Sequence, residues 1–488
     1  MRGPLIDRPG PTTLPAPGGR PGAETCMTPL TLTQPRPFIR SMRLGGVLLL
    51  TLSAVTPASS VFVIIPGIIG QAGTGALISL IAAALVALAM ALVYAELASA
   101  FPHAGGEYAM LGRTLGPFVG YVFMGMNLVG STLAPAVLSL GAADYLQDVW
   151  PGVRPVPVAV GVVSLSMLLG VLNIRLNAWV TGAFLVVEML ALVVLAGLGF
   201  MHAHRPLTDV LAHPLTLSLG HLAPTPVGMI GLATAVAIFS YNGFGAAVYF
   251  SEEMHEAPRQ VARTILLALA LTVAFEFIPV AAVIAGAPDL RRLLAAESPF
   301  SDFLLTAGGR TLDTVVSLGI ALAIVNAVIA TVLINARFLF SSGRDGVWHG
   351  AFNGALVRVH GRFDSPWVAT ILAGVSATLT CFVPFHLLLV MNGTGVVVMY
   401  VLLCLGAIAG RVTGASAHAA YRMPLFPLAP AFALLALAYV IYANWIDPQV
   451  GRPSLIFSLV LLVLATGYFV LLRRSRGGVL SMSAAAEA

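Results

Sequence analysis

Hydrophobic positions in this chain come in long blocks, not in the stripe of a surface helix or the alternation of a half-buried strand. From Leu44 onward, apolar stretches of about 18 to 25 residues are separated by short polar or Gly- and Pro-containing connectors, and each stretch can cross a ~30 Å hydrocarbon core as a helix. The pattern predicts twelve spans, near 45–69, 76–100, 117–146, 155–173, 177–200, 226–250, 261–286, 312–341, 366–384, 387–410, 427–446 and 454–472. The short alternating segments of a transmembrane barrel do not occur. The expected fold is therefore an all-α polytopic membrane protein. Residues 1–43, rich in Pro, Gly and Thr, read as a disordered tail without the layout of a signal peptide, with Met42 as an alternative start.

Composition supports this pattern. Of 488 residues, 58% are hydrophobic and 9% charged, against roughly 25% charged in an ordinary soluble domain; mean hydropathy is +0.94. So few charges cannot cover a water-facing surface, which excludes a soluble enzyme, a nucleic-acid binder and a disordered scaffold. All 25 basic residues are Arg, which points to a GC-rich and hence bacterial genome. With the N-terminus inside, 18 Arg fall on the cytoplasmic side and six outside, from which both termini are expected in the cytoplasm of an inner-membrane protein. The net charge of +5 is then loop Arg and needs no anionic partner. Cys26, Cys381 and Cys404 are too dispersed for a disulfide framework.

Two spans carry breaks, and a helix that opens at membrane depth needs a reason. The first contains Thr56-Pro57-Ala58-Ser59-Ser60, where Pro57 removes a helix bond. The sixth contains Phe239-Ser240-Tyr241-Asn242-Gly243-Phe244-Gly245. Interrupted segments at matching places in two halves point to a transporter's binding site. Freed N–H groups at a half-helix N-terminus suit a carboxylate and freed carbonyls suit an ammonium, so the pair suits a zwitterion.

Further residues make the chain resemble the amino acid–polyamine–organocation transporter superfamily. Tyr94-Ala95-Glu96-Leu97, Phe101-Pro102-His103-Ala104-Gly105-Gly106-Glu107-Tyr108 and Gly116-Pro117-Phe118-Val119-Gly120-Tyr121 are similar to one family block. The Phe239–Phe244 stretch with Ser251-Glu252-Glu253 and Ala257-Pro258-Arg259 is similar to a second, and Arg337 with Gly343-Arg344-Asp345-Gly346 to a third. The resemblance implies a five-plus-five inverted repeat with two peripheral helices and spans one and six unwound. The repeats would fill 44–200 and 226–411, around an external loop at 201–225, with peripheral spans at 412–474 and a tail at 475–488. It further implies secondary active transport of an amino acid, coupled to protons, with a polyamine or amine transporter or an amino acid–amine exchanger as the alternative. Carried over, Ser59, Ser60 and Val61 would meet the carboxylate, and Pro57, Phe239, Ser240 and Asn242 would offer carbonyls to the amine. Phe239 and Tyr241 would be aromatic walls or lids. The chain departs from the family in having Ala58-Ser59-Ser60-Val61 where a G-S-G-like break is usual, and Gly245 where many members have Glu.

Ionisable groups inside spans default to functional hypotheses. Glu188 and Glu276 are the candidates for proton coupling; structural hydrogen bonds, in Glu276's case to a carbonyl freed by Pro279, are the alternatives. Sodium is the other coupling ion considered. Glu96 and Glu107 are expected in a gate or a salt bridge with Arg113, Arg259 or Arg344. Asn127 and Ser131, and Asn326 and Thr331, either line a pocket or tie helices together. His202, His204, His213 and His221 share one loop without metal-ligand spacing. No cofactor is expected; the partners are a small-molecule substrate and the bilayer, with no nucleic acid, in a monomer or homodimer.

Overall fold

The computed structural model describes residues 40–149, 152–172, 174–348, 350–392 and 395–475. Cys26 and most of the two predicted tails lie outside the described residues.

The first span is built in pieces: α1 (Leu44–Val55), α2 (Pro57–Ser59), a π-helical turn (Ser60–Ile64) and α3 (Ile65–Ala72). There follow α4 (Ala76–Ala100), the short α5 (Glu107–Thr114), α6 (Pro117–Val149), α7 (Pro155–Gly170) and α8 (Ile174–Met201). Helix α9 (Leu207–Ala212) and an antiparallel hairpin, β1 (Leu215–Ser218) with β2 (His221–Pro224), lead to α10 (Val227–Ser240). A 3-10 helix (Phe244–Glu253) precedes α11 (Ala257–Gly286), α12 (Leu290–Ala295) and α13 (Pro299–Arg344), which is kinked at Gly309. The chain continues with α14 (Gly350–Leu356), α15 (Trp367–Thr380), α16 (Phe385–Asn392), α17 (Gly395–Thr413), α18 (Leu428–Ile446) and α19 (Gly451–Ser475).

Among the described residues, nine helical runs are long and apolar enough to cross a membrane, and α7 and α15 are shorter apolar helices. The first run, Leu44–Ala100, holds 57 residues and so contains more than one crossing length. The chain is thus a multi-pass, predominantly helical membrane protein. The segment expected as one span at 387–410 takes in most of α16 and α17, with residues 393–394 between them outside the described residues.

The core forms where α11 packs on α4 and α8, α13 on α6 and α8, and α10 on α4. The α1 helix lies among α8, α11, α13 and the 3-10 helix, so the first break sits at the centre of the bundle. The outer helices α18 and α19 leave Leu435, Tyr442, Leu459, Val463 and Leu471 exposed, as a lipid-facing surface requires. Met42, read as part of a tail, is held in place: its N–H donates to Glu253 O (2.9 Å) and its carbonyl accepts from His255 N–H (3.0 Å).

Candidate functional site

Both predicted breaks are present, with different geometry. In the first span the break is one residue wide: Thr56 adopts a left-handed φ of 50°, and Pro57 at the first position of α2 restarts the helix at once. Ser59 is therefore α-helical, and Ser60 and Val61 lie in the π turn, so the expected unwound stretch over these residues is not observed. In the sixth span α10 stops at Ser240, Tyr241–Gly243 form a turn with Gly243 at φ 115°, and a 3-10 helix follows. The two breaks touch: the Ser60 hydroxyl donates to Ser240 O (3.0 Å), and a Cβ on Gly243 would come within 3.0 Å of Val55.

A cavity of about 270 Å³ opens beside this junction. Its wall includes Ala54 next to the first break, Asn242, Gly243 and Gly245 at the second, Phe123, Asn127 and Ser131 on α6, Thr331 on α13 and Tyr400 on α17. Of the residues expected to bind substrate, Asn127 and Asn242 line this cavity. The Asn242 side-chain carbonyl accepts from the Tyr400 hydroxyl (2.6 Å), and the Asn127 amide donates to the Tyr249 hydroxyl (3.1 Å). Pro57, Ser59, Ser60, Val61, Phe239, Ser240 and Tyr241 are outside its lining. The Ser240 carbonyl is already taken by Ser60, Phe239 O accepts from Asn242 N–H (3.1 Å), and Tyr241 is packed in the core. A second cavity, of about 430 Å³, is bordered by Phe62, Phe300, Arg310 and Asp313.

Glu107 joins the first cavity, a placement that sequence reasoning missed. Among the described residues no arginine pairs with it. Its carboxylate accepts from the Tyr94 and Tyr249 hydroxyls, and burial pushes its pKa up while the two tyrosine hydrogen bonds oppose the shift. Two glycines permit this cluster. Gly106 has φ 66°, and a Cβ there would meet the Tyr249 ring at 2.6 Å; a Cβ on Gly245 would meet the Tyr94 ring at 2.5 Å. Gly105-Gly106 ahead of an acidic residue was the available signal.

Glu188 and Glu276 lie behind the junction, fully buried. Glu188 Oε1 accepts from Ala58 N–H (2.9 Å) and from the Thr56 hydroxyl (3.1 Å), while Oε2 has no partner. Glu276 faces Ser60, Ser240 and Glu188. Those hydroxyls are committed to Ser240 O and Ala237 O, so neither Glu276 oxygen is satisfied. Asn326 is a helix tie, with its amide donating to the Ser53 hydroxyl (2.9 Å).

Glu96 pairs with an arginine other than those expected, and Arg344 with an acidic residue other than those expected. Glu96 binds Arg411 (2.7 and 2.6 Å) and also accepts from Met423 N–H (2.8 Å). Arg344 grips both oxygens of Glu252, and Arg337 holds Glu253 (2.7 Å). His103 touches Arg344 (2.6 Å) and lies 3.8 Å from Glu252.

The profile of the amino acid permease family matches residues 45–466, which takes in every element from α1 through most of α19. The chain belongs to the amino acid permease family. It is a transporter and not an enzyme, and it lies within the superfamily whose motifs it resembles. The permease is 31% identical over 335 residues to an uncharacterized transporter of Mycobacterium tuberculosis, covering 67% of this chain and 71% of that one. It is 26% identical over 393 residues to the branched-chain amino acid permease of Bacillus subtilis, covering 77% and 82%. It is 23% identical over 317 residues to the low-affinity putrescine importer of Escherichia coli, covering 64% and 68%.

Proposed function

We propose that this permease is a secondary active transporter of amino acids or related amines, working by alternating access around the cavity beside the two breaks. The observation that carries the reading is the meeting of two interrupted spans at one cavity, with Ala54 on one side and Asn242 and Gly243 on the other. In this reading the chain crosses a bacterial inner membrane twelve times, with two inverted groups of five spans, two peripheral spans and cytoplasmic termini. The named relatives carry a branched-chain amino acid in one case and putrescine in another, which spans the two cargo classes.

Coupling falls to protons at Glu188 and Glu276. Two buried carboxyl groups share this part of the core, with no arginine paired to either among the described residues, and burying both as charges is costly. A proton taken up by the pair removes that cost, and its release sets the direction of transport. The breaks are the hinge: Thr56 and Gly243 hold the backbone angles at which half-helices can tilt. Uptake of radiolabelled leucine and putrescine into proteoliposomes, with and without an imposed inward proton gradient, tests this reading. Saturable uptake that the gradient accelerates supports it; uptake of neither solute overturns it.

A further inference from the structure

Glu96, Glu107, Glu252 and Glu253 all lie where α4, α5 and the 3-10 helix come together. Three are answered by arginine: Glu96 by Arg411, Glu252 by Arg344 and Glu253 by Arg337. Glu107 is not. It is 4% exposed and is the one charged side chain among the described residues lining the 270 Å³ cavity. The Tyr249 hydroxyl accepts a hydrogen bond from the Asn127 amide, so its own proton points to Glu107, as does that of Tyr94. The cluster thus presents a carboxylate as acceptor on the cavity wall, and among the described residues no cation pairs with it.

We propose that Glu107 is the ammonium-binding residue of this cavity, and that the preferred cargo is a small organic amine, cationic at one end and uncharged beyond it. The proposal rests on the transporter reading and narrows it. A buried anion is stable only when a cation or several donors answer it. A carboxylate offers about four acceptor positions and the tyrosines use two, which leaves room for ligand N–H groups. The rest of the wall matches an amine better than a zwitterion. Asn127, Ser131, Asn242 and Thr331 are neutral, and among the described residues no Arg or His lines the cavity to receive a ligand carboxylate. The amide at the broken first span that would suit a carboxylate, Ala58 N–H, is occupied by Glu188.

The test is ligand-induced thermal stabilisation of the detergent-solubilised full chain, with n-butylamine, putrescine, leucine, isovalerate and N-butylacetamide as probes, in wild type and Glu107→Gln. n-Butylamine should stabilise the wild type more strongly than the dication putrescine, with half-saturation that Glu107→Gln raises roughly thirtyfold, the loss expected when one partner of a buried charge pair is removed. Isovalerate and the neutral N-butylacetamide should have no effect. The comparison of n-butylamine with N-butylacetamide needs only the wild type, so the proposal stays testable if the variant does not fold. Equal stabilisation by those two probes overturns it. Leucine binding that Glu107→Gln leaves unchanged overturns it and leaves the transporter reading standing. Binding of none of the probes overturns both.

Discussion

The Glu188 carboxylate sits 2.9 Å from the Ala58 amide and caps the half-helix that begins at the broken first span. The amide next to Ser59, Ser60 and Val61, where the family resemblance places a substrate carboxylate, is filled from within the protein. The cap satisfies one donor freed by the break, and the Thr56 hydroxyl joins it at 3.1 Å. The break and Glu188 are thus one device, and Glu188 Oε2 is left without a partner; in the proposed coupling that oxygen takes the proton.

Glu188→Gln and Glu188→Ala should therefore separate structure from coupling. Gln keeps a carbonyl oxygen for Ala58 and Thr56, so the fold persists while the pH dependence of uptake disappears. Ala leaves a buried N–H unsatisfied, a loss of about 1–3 kcal/mol that lowers the unfolding midpoint. Proteoliposome uptake across a pH series and thermal unfolding of both variants check this. Unchanged pH dependence in Glu188→Gln removes Glu188 from coupling.

Arg411 holds Glu96, which is 1% exposed, against the connection that carries Met423. Removing Arg411 strands a buried carboxylate, so Arg411→Ala should destabilise the protein by about 3–5 kcal/mol. The double variant Glu96→Gln with Arg411→Met should recover most of that loss, because no buried charge remains. Unfolding midpoints of the two variants in the same detergent decide the point; equal losses would mean that Arg411 acts by packing alone.

The breaks were legible because their causes are local: a proline has no N–H to donate, and a glycine tolerates φ 115° at Gly243. The long apolar runs likewise declared a multi-pass helical protein. Partner choice was not legible, because it depends on distance in space. Tyr249 is 142 residues from Glu107 and Arg411 is 315 from Glu96, and several arginines stand closer along the chain. The width of the first break also escaped the sequence. Ser59 and Ser60 suggest an open stretch, yet Pro57 at a helix start nucleates the next turn and confines the break to Thr56.

Gly106 sets the distance between Tyr249 and Glu107. Gly106→Ala places a Cβ 2.6 Å from the Tyr249 ring and forces an L-residue to hold φ 66°. That backbone, φ 66° with ψ −135°, is open essentially to glycine alone and by itself costs an L-residue about 1–3 kcal/mol. The expected result is a lower unfolding midpoint together with weakened ligand stabilisation, because Tyr249 is displaced from the carboxylate. Unfolding scans with and without n-butylamine measure both effects, and an unaltered midpoint would contradict the close approach.

His103 makes acid stability a readout of the cluster beneath the cavity. Burial is the main cause that pushes its pKa down, to about 3, with Arg344 and Arg113 adding and Glu252 opposing. The folded protein then keeps His103 neutral, while the unfolded chain takes up a proton near the ordinary value of 6.5. Between those values the unfolded state binds more protons, so stability is full above about pH 6.5 and falls as pH falls. Asp345, bonded to Tyr108 in the same cluster, works the other way. Burial raises it from 3.8 to about 6, so its contribution is lost as pH rises through that window. His103→Gln keeps Asp345, so the difference between variant and wild type isolates the histidine. The unfolding midpoint of the wild type should fall more steeply than that of His103→Gln as pH is lowered from about 7 to about 5. Parallel curves would mean that His103 takes its proton in the folded state, paired with Glu252, and that the cluster tolerates the charge.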